Sequence, residues 1–396
     1  MDDICYLSQK EYKSNRFFLT IYFIMLLLPG RGIFYYIRPT FCFLYWILST
    51  RRFGYGYMLN RKFTVFFAIW FYCLVLGQLV IVGTTHSSAL THEFLRVGMY
   101  FVTMLPMQHL KLDKKWLVFL SSAFVIFNLV IQVCEFFKVE AVFTFIQSNY
   151  LVSNDLRHLN LARADSLVSF RSGSIFINPN VYTPLALMCI AVIIFALEEN
   201  IENNKSGNTL LIAMLIASAF SLLLTGSRTG FLGLAVLVFI FSLKVLNKKP
   251  LLIVLIGIVF IAAFIYLSKS GSRFTSVSDG MDDSFGEKIH EIIRYISEVN
   301  PISFICGNNS NIGSPEWGYD FEWGYVLVYT GLVGIYNYLT IHKTYLMKYR
   351  LHSNGRLYLY LLLVLLVQTL SATVLYNSYA YPLLALFVFS EGVVDE

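Results

Sequence analysis

"LLIAMLIASAFSLLLTGSRTGFLGLAVLVFIFSL", residues 210–243, sets one arginine between two runs of membrane-grade apolar sequence. Each run approaches the roughly 20 residues that an α-helix needs to cross about 30 Å of hydrocarbon. The small residues between the runs leave room for little more than a turn. The stretch therefore reads as two antiparallel membrane helices with Arg228 at their junction, where a charge is costly and a plain turn would serve.

The same texture runs along the whole chain. Of 396 residues, 57% are hydrophobic and only 14% are charged, which is outside the range of soluble domains. The period-two alternation of a membrane β-barrel is missing. Apolar runs bounded by polar breaks predict an all-α polytopic membrane protein, with helices near 17–30, 33–49, 63–83, 94–110, 116–134, 180–197, 209–225, 230–246, 250–268, 323–341, 357–376 and 379–393. That makes about twelve spans in one integral membrane domain over residues 1–396. The polar N-terminus carries no small-residue cleavage site before the first apolar run, so a retained first helix is expected rather than a signal peptide.

Twelve spans place both termini on one side. On that side the short connections hold eighteen lysines and arginines, against Arg31, Arg38 and Arg228 on the other. Positive charge is retained in the cytoplasm, so the termini are expected there and "TGSRTG" at the outer face. The net charge of +6 thus reflects distribution across a bilayer rather than a nucleic-acid partner. The six cysteines are scattered, without zinc, redox or disulfide spacing, and read as packing residues.

Two long polar segments, 135–179 and 269–322, fall on the outer side in this topology, and long loops are uncommon without a function. The first ends in "RHLNLARADSLVSFRSGSIFINPNVYTPLAL", which supplies Arg157, Arg163 and Arg171. Asn178 and Pro179 read as the N-cap and first residue of a helix, with Asn180 beside them. That explains the Asn-Pro but not three arginines. A helix N-terminus with guanidinium groups nearby forms an anion site. Arg228 has two readings, a headgroup anchor or an anion ligand, and Ser227 beside it would share the second.

The other long segment ends in "CGNNSNIGSPEWGYDFEWGYVLVYTGLVG". Glu316, Asp320 and Glu322 lie just ahead of a helix, where acidic residues ordinarily stabilise its start. The functional alternative is a general base or a ligand for a sugar hydroxyl. Trp317 and Trp323 suit an interfacial aromatic belt or a platform for sugar rings. His86, His92, His158 and His290 have no metal-ligand spacing, and no Walker, GxGxxG, GxSxG, HExxH or DxD motif occurs, so no metal or cofactor is expected.

"FRSGSIFINPN" before one membrane helix, "LTGSRTGFL" between the next two, and a large outer loop ending in "DFEWGYVLVYTGLVG" together resemble the O-antigen polymerase and ligase superfamily. Within it the chain looks most like an O-antigen polymerase of the Wzy type. The resemblance implies a glycosyltransferase of the bacterial inner membrane whose site faces the periplasm. Its substrate would be repeat units linked to undecaprenyl pyrophosphate, and its partners would be membrane lipids and a chain-length regulator. By the same resemblance, Arg171 and Arg228 occupy the family's arginine positions, and Arg163 is a further candidate in the same loop. Ligases of the superfamily carry a histidine near the end of the second large loop, where this chain has Asp320 and Glu322. This departure favours a polymerase. A ligase acting on lipid A core, or a flippase for the same lipid-linked units, are the alternatives.

Overall fold

The computed structural model describes residues 2–29, 34–53, 59, 61–80, 87–151, 156–164, 170–203, 207–245, 283–307, 322–352, 354–369 and 380–394. Among the described residues the body includes α1 (Asp2–Leu26), α2 (Phe34–Phe53), α3 (Arg61–Val80), α4 (Ser87–Met104), α5 (Lys114–Phe136), α8 (Pro179–Glu202), α9 (Asn208–Thr225), α10 (Arg228–Val245), α14 (Gly355–Gln368) and α15 (Ala380–Phe389). The first long connection adds α6 (Glu140–Asn149) and α7 (Leu156–Ala162). The second adds α11 (Asp283–Glu298) and α12 (Pro301–Cys306), and it leads into α13 (Glu322–Leu351). The chain is an all-α polytopic membrane protein. By length and composition α5, α8 and α9 can cross a membrane, Trp323–Leu351 has the composition of a span but is interrupted at Gly331, and α14 and α15 are shorter apolar helices. The span expected at 250–268 lies outside the described residues.

The centre of the bundle is α8. Its sequence is apolar all round, so it has no polar face to turn to solvent, and nearly every residue from Tyr182 to Leu197 is buried. Helices α5, α9, α10 and α14 pack around it. Large apolar side chains on the surrounding helices point outward, among them Phe119, Phe220, Phe239 and Leu243, as lipid contact requires.

The two ends of the bundle differ. Where α8 terminates, basic residues of several connections gather on acidic partners. Lys114 meets Glu199 at 2.7 Å, and Arg356 meets Glu198 at 2.8 Å as well as Glu202. Arg16 pairs with Asp113. A short parallel pair, β1 (Lys111–Asp113) with β2 (Gly392–Val394), ties the C-terminal residues to the same end. Arg16, Lys111, Lys114 and Arg356 therefore lie at one end of the bundle. At the opposite end lie the start of α8 and the turn between α9 and α10.

Four expectations need correction. The first helix, expected near 17–30, runs instead from Asp2 to Leu26. The predicted span 94–110 stops at Met104 and continues as a 3-10 turn (Leu105–His109), since Pro106 cannot extend the α-helical ladder. The last span ends at Phe389 and gives way to β2, the run "GVV" being extended rather than helical.

The fourth correction concerns α13. It is not one straight rod: at Gly331 the backbone leaves the helical region (φ 63°, ψ −163°). Across that break Trp323 meets the Tyr338 ring at 5.0 Å and stacks on His342 at 5.5 Å, centroid to centroid. In a straight helix those pairs would be about 22 and 28 Å apart. The arm before Gly331 therefore folds back beside the arm after it. Lys343, Lys348 and Arg350, expected in a connection, lie in the long second arm. The end of α12 seals the fold, since a side chain on Gly331 would begin 2.4 Å from the Ile305 carbonyl oxygen. The break orphans carbonyls of the first arm, and the Tyr295 hydroxyl donates to one of them, Val328 O, at 3.4 Å. Burial pushes the Tyr295 phenol up to about 12, so it keeps its proton for that bond.

Candidate active site

The turn between α9 and α10 is the focus. Gly226 takes the left-handed conformation (φ 58°) that ends α9, which a glycine adopts without the steric cost of a Cβ. Ser227 follows as the cap of α10: its Oγ accepts from the Gly230 N–H at 3.2 Å, and its own N–H donates to Thr225 Oγ1 at 3.1 Å. Arg228 is the first residue of α10, and its side chain is exposed.

Arg171 reaches this turn from the first long connection. Its Cγ lies 3.0 Å from where a Cβ on Gly226 would stand, and its Nε donates to the Thr225 carbonyl at 3.4 Å. Backbone bonds hold it there: Arg171 N–H to Leu161 O at 3.3 Å, and Ser172 N–H to Leu224 O at 3.0 Å. The two arginines singled out in the sequence are thus carried by segments in direct contact.

Two glycines at the start of α10 serve close helix packing. A Cβ on Gly230 would stand 2.7 Å from Thr183, and one on Gly233 would stand 2.6 Å from Leu187. They let α10 lie close against α8, as small residues do between membrane helices. In consequence the first turn of α10 runs beside the first turns of α8. Asn178 caps α8, its Oδ1 accepting from Asn180 N–H at 2.9 Å, with Pro179 at the first helical position. Two helix N-termini therefore end side by side, and their partial positive charges add to those of the arginines. Asn178 and Ser227 support the site as caps.

A buried polar network that sequence reading missed lies behind Arg171. Ser172 hydrogen-bonds through Oγ to the Glu135 carboxyl, both groups being fully enclosed. Gln132 Nε2 donates to the Ser172 carbonyl at 3.3 Å, and Gln132 Oε1 accepts from Ser221 Oγ at 2.6 Å. The Tyr182 hydroxyl donates to Ser221 at 2.7 Å. These bonds join α5, α8 and α9 to the segment that carries Arg171. The signal was present: Asn128, Gln132 and Glu135 fall at helical spacing on one face of an otherwise apolar α5. On the far side of the turn, Gln368 of α14 donates to Thr229 O at 3.0 Å.

The remaining candidates separate from this centre. Arg163 is exposed, pairs with Glu140 at 3.1 Å and lies over the Phe143 ring at 5.1 Å. Arg157 is in α7, and its side chain lies outside the described residues, as does Asp320. Glu322 opens α13, again without a described side chain. His290 is exposed on α11.

Two arginines and two helix N-termini thus lie at one end of the bundle, an arrangement whose charge favours anions. Residues 213–300 match the protein family described as O-antigen ligase. No curated protein and no solved structure matches the chain. The matched stretch runs from within α9 through the Arg228 turn and α10 to the end of α11, so the similarity covers the turn that carries Arg228.

Proposed function

We propose that the chain is an O-antigen polymerase, a glycosyltransferase that joins repeat units carried on undecaprenyl pyrophosphate at the periplasmic face of the inner membrane. The observation that carries this reading is the packing of Arg171 across Gly226, which gives one end of the bundle two arginines and two helix N-termini. In the reaction, the anomeric carbon to phosphate oxygen bond of the donor breaks as the acceptor hydroxyl forms the new glycosidic bond. The lipid pyrophosphate leaves with the electron pair. Arg171 and Arg228 hold its oxygens and stabilise the growing negative charge. The proton of the acceptor hydroxyl passes to a carboxylate, for which Asp320 and Glu322 are the candidates. The bias of lysine and arginine among the connections supports an outward-facing site with cytoplasmic termini. A chain-length regulator is the expected protein partner.

The test is complementation of a strain lacking the gene with Arg228→Ala, Arg228→Lys and Arg171→Lys, read as the ladder of glycan lengths on lipopolysaccharide. Collapse of the ladder at normal protein level supports the reading, and long chains in Arg228→Ala refute it. The family description favours a second reading, transfer of finished glycan to lipid A core. Loss of a polymerase leaves core bearing one repeat unit, whereas loss of a ligase leaves bare core.

A further inference from the structure

The bundle uses only part of the apolar face of α11. In the sequence, apolar residues recur at 285, 289, 292, 293 and 296, the spacing of one helix face, while Glu287, Glu291, Arg294 and Glu298 fall on the other. One edge of the apolar face packs on the first arm of α13. There Tyr295 is buried, its hydroxyl donates to Val328 O, and Ile292 and Val299 pack beside Leu327, Val328 and Tyr329. The other edge is open: Ile293 is 61% and Ile296 47% exposed. Arg294 and Glu298 pair at 3.6 Å on the charged side. The following helix, α12, repeats the arrangement. Asn300 caps it, its Oδ1 accepting from Ser303 N–H at 2.8 Å, which fixes the corner between the two helices. Ser303 and Cys306 face inward and are buried, whereas Ile302 and Ile305 are exposed.

The height of these isoleucines in the bundle says what covers them. Lys348 lies at the end that carries β2, where its Nζ donates to Ser390 O at 2.6 Å. Between Lys348 and Gly331 the second arm of α13 rises about 26 Å, close to the ~30 Å of a hydrocarbon layer. The break therefore lies near the opposite membrane boundary. Helix α12 ends at it, with the Ile305 carbonyl against Gly331, and it packs on α3 as well. Tyr295 of α11 sits at Val328, within one helical turn of the break. Leu332, Tyr336 and Leu339, an exposed stripe on the second arm, begin at the same point. The isoleucines thus continue a surface that already faces lipid. Among the described residues, the exposed large apolar side chains of α11 and α12 are all isoleucine. They lack the aromatic and arginine anchors that dominate protein interfaces.

We infer that α11 and α12 lie in the bilayer surface at the end of the bundle opposite β2, with Ile293, Ile296, Ile302 and Ile305 seated among the acyl chains. A helix with one apolar and one charged face is the form that lies in that plane. Helix α11 carries four acidic residues against two basic ones. Burial of apolar surface, rather than attraction to anionic headgroups, therefore holds it there, and a phosphatidylcholine bilayer suffices. The part of the second long connection that forms α11 and α12 is pinned at headgroup level instead of standing free in water.

The experiment uses the full chain, in a background without other cysteines, in phosphatidylcholine nanodiscs. A nitrobenzoxadiazole label is attached at one site at a time: Ile293→Cys, Ile296→Cys or Ile305→Cys on the open faces, and Arg294→Cys or Glu298→Cys on the charged face. All five positions have exposed or half-exposed side chains, so the fold should survive each change. Two quenchers are compared, a doxyl group on the lipid acyl chain and aqueous iodide. Labels at 293, 296 and 305 should emit further to the blue, lose emission to doxyl lipid and resist iodide, with the reverse at 294 and 298. Because a label can itself draw a helix into lipid, the unlabelled Ile293→Cys and Ile296→Cys variants are also treated with a membrane-impermeant maleimide. They should react more slowly than Glu298→Cys. Equal iodide quenching on the two faces, or equal maleimide rates, places the helix in water and overturns the proposal. Shielding from iodide without quenching by doxyl lipid means that a protein surface, such as a second copy of the chain, covers the isoleucines, and overturns it as well.

Discussion

Arg171 lies across Gly226, its Cγ 3.0 Å from the point where a side chain on that glycine would begin. The space that glycine leaves is therefore filled by the arginine, and the left-handed turn and the arginine position depend on the same atom being absent.

Gly226→Ala should accordingly cost more activity than stability. The left-handed conformation carries a penalty of about 1–2 kcal/mol for an L side chain, which a large bundle survives. Displacing Arg171 is the larger effect. We expect folded protein in the membrane and a shortened glycan ladder resembling that of Arg171→Lys. Normal long chains from Gly226→Ala would show that the packing of Arg171 on the turn is irrelevant to function.

Ser172→Ala tests the network behind the arginine. The substitution removes the donor that Ser172 offers to the enclosed Glu135 carboxyl, and an unsatisfied buried polar group costs about 1–3 kcal/mol. Thermal unfolding in detergent should fall measurably, and Ser172→Thr, which keeps the hydroxyl, should recover part of the loss. Ser221→Ala should act on the same segment through Gln132, so the two changes together should be less than additive.

How far the sequence foretold this site follows from what kind of signal each part leaves. The α9 to α10 turn was readable because two apolar runs flank a break of Gly, Ser, Thr and Arg. The Asn178 cap was readable because Asn-Pro has a local meaning. The contact between Arg171 and Gly226 joins residues 55 positions apart, and nothing local encodes it. Glycines 230 and 233 could signify either open space or close packing, and only their neighbours Thr183 and Leu187 decide. The break in α13 was hidden for a similar reason. Gly331 sits in a continuous apolar run, where glycine is common in straight membrane helices, and its non-helical role depends on the arrival of Ile305 from a different segment.

The fold-back of α13 has a direct check. In a background without other cysteines, Trp323→Cys and His342→Cys should be joined by a short bis-maleimide linker in membranes, because the native rings stack at 5.5 Å. A straight helix would separate the positions by about 28 Å and defeat the linker. Gly331→Val should abolish the cross-link along with the fold-back, since its side chain would collide with the Ile305 carbonyl.

Acid should loosen the end of the bundle where β1 and β2 pair. Burial holds both His109 and His352 below the ordinary histidine value; Glu391 and Glu11 oppose the effect at His109, and Lys348 reinforces it at His352. The folded state then binds fewer protons than the unfolded chain as pH falls below about 6.5, so linkage requires stability to decline through that window. Thermal unfolding in detergent should drop between about pH 7.5 and about pH 5.5. His352→Gln, which cannot take up the proton, should flatten part of that slope, and His109→Gln a further part. If both variants keep the wild-type slope, these two imidazoles are not what the proton attacks, and the acid sensitivity lies in other groups of the bundle.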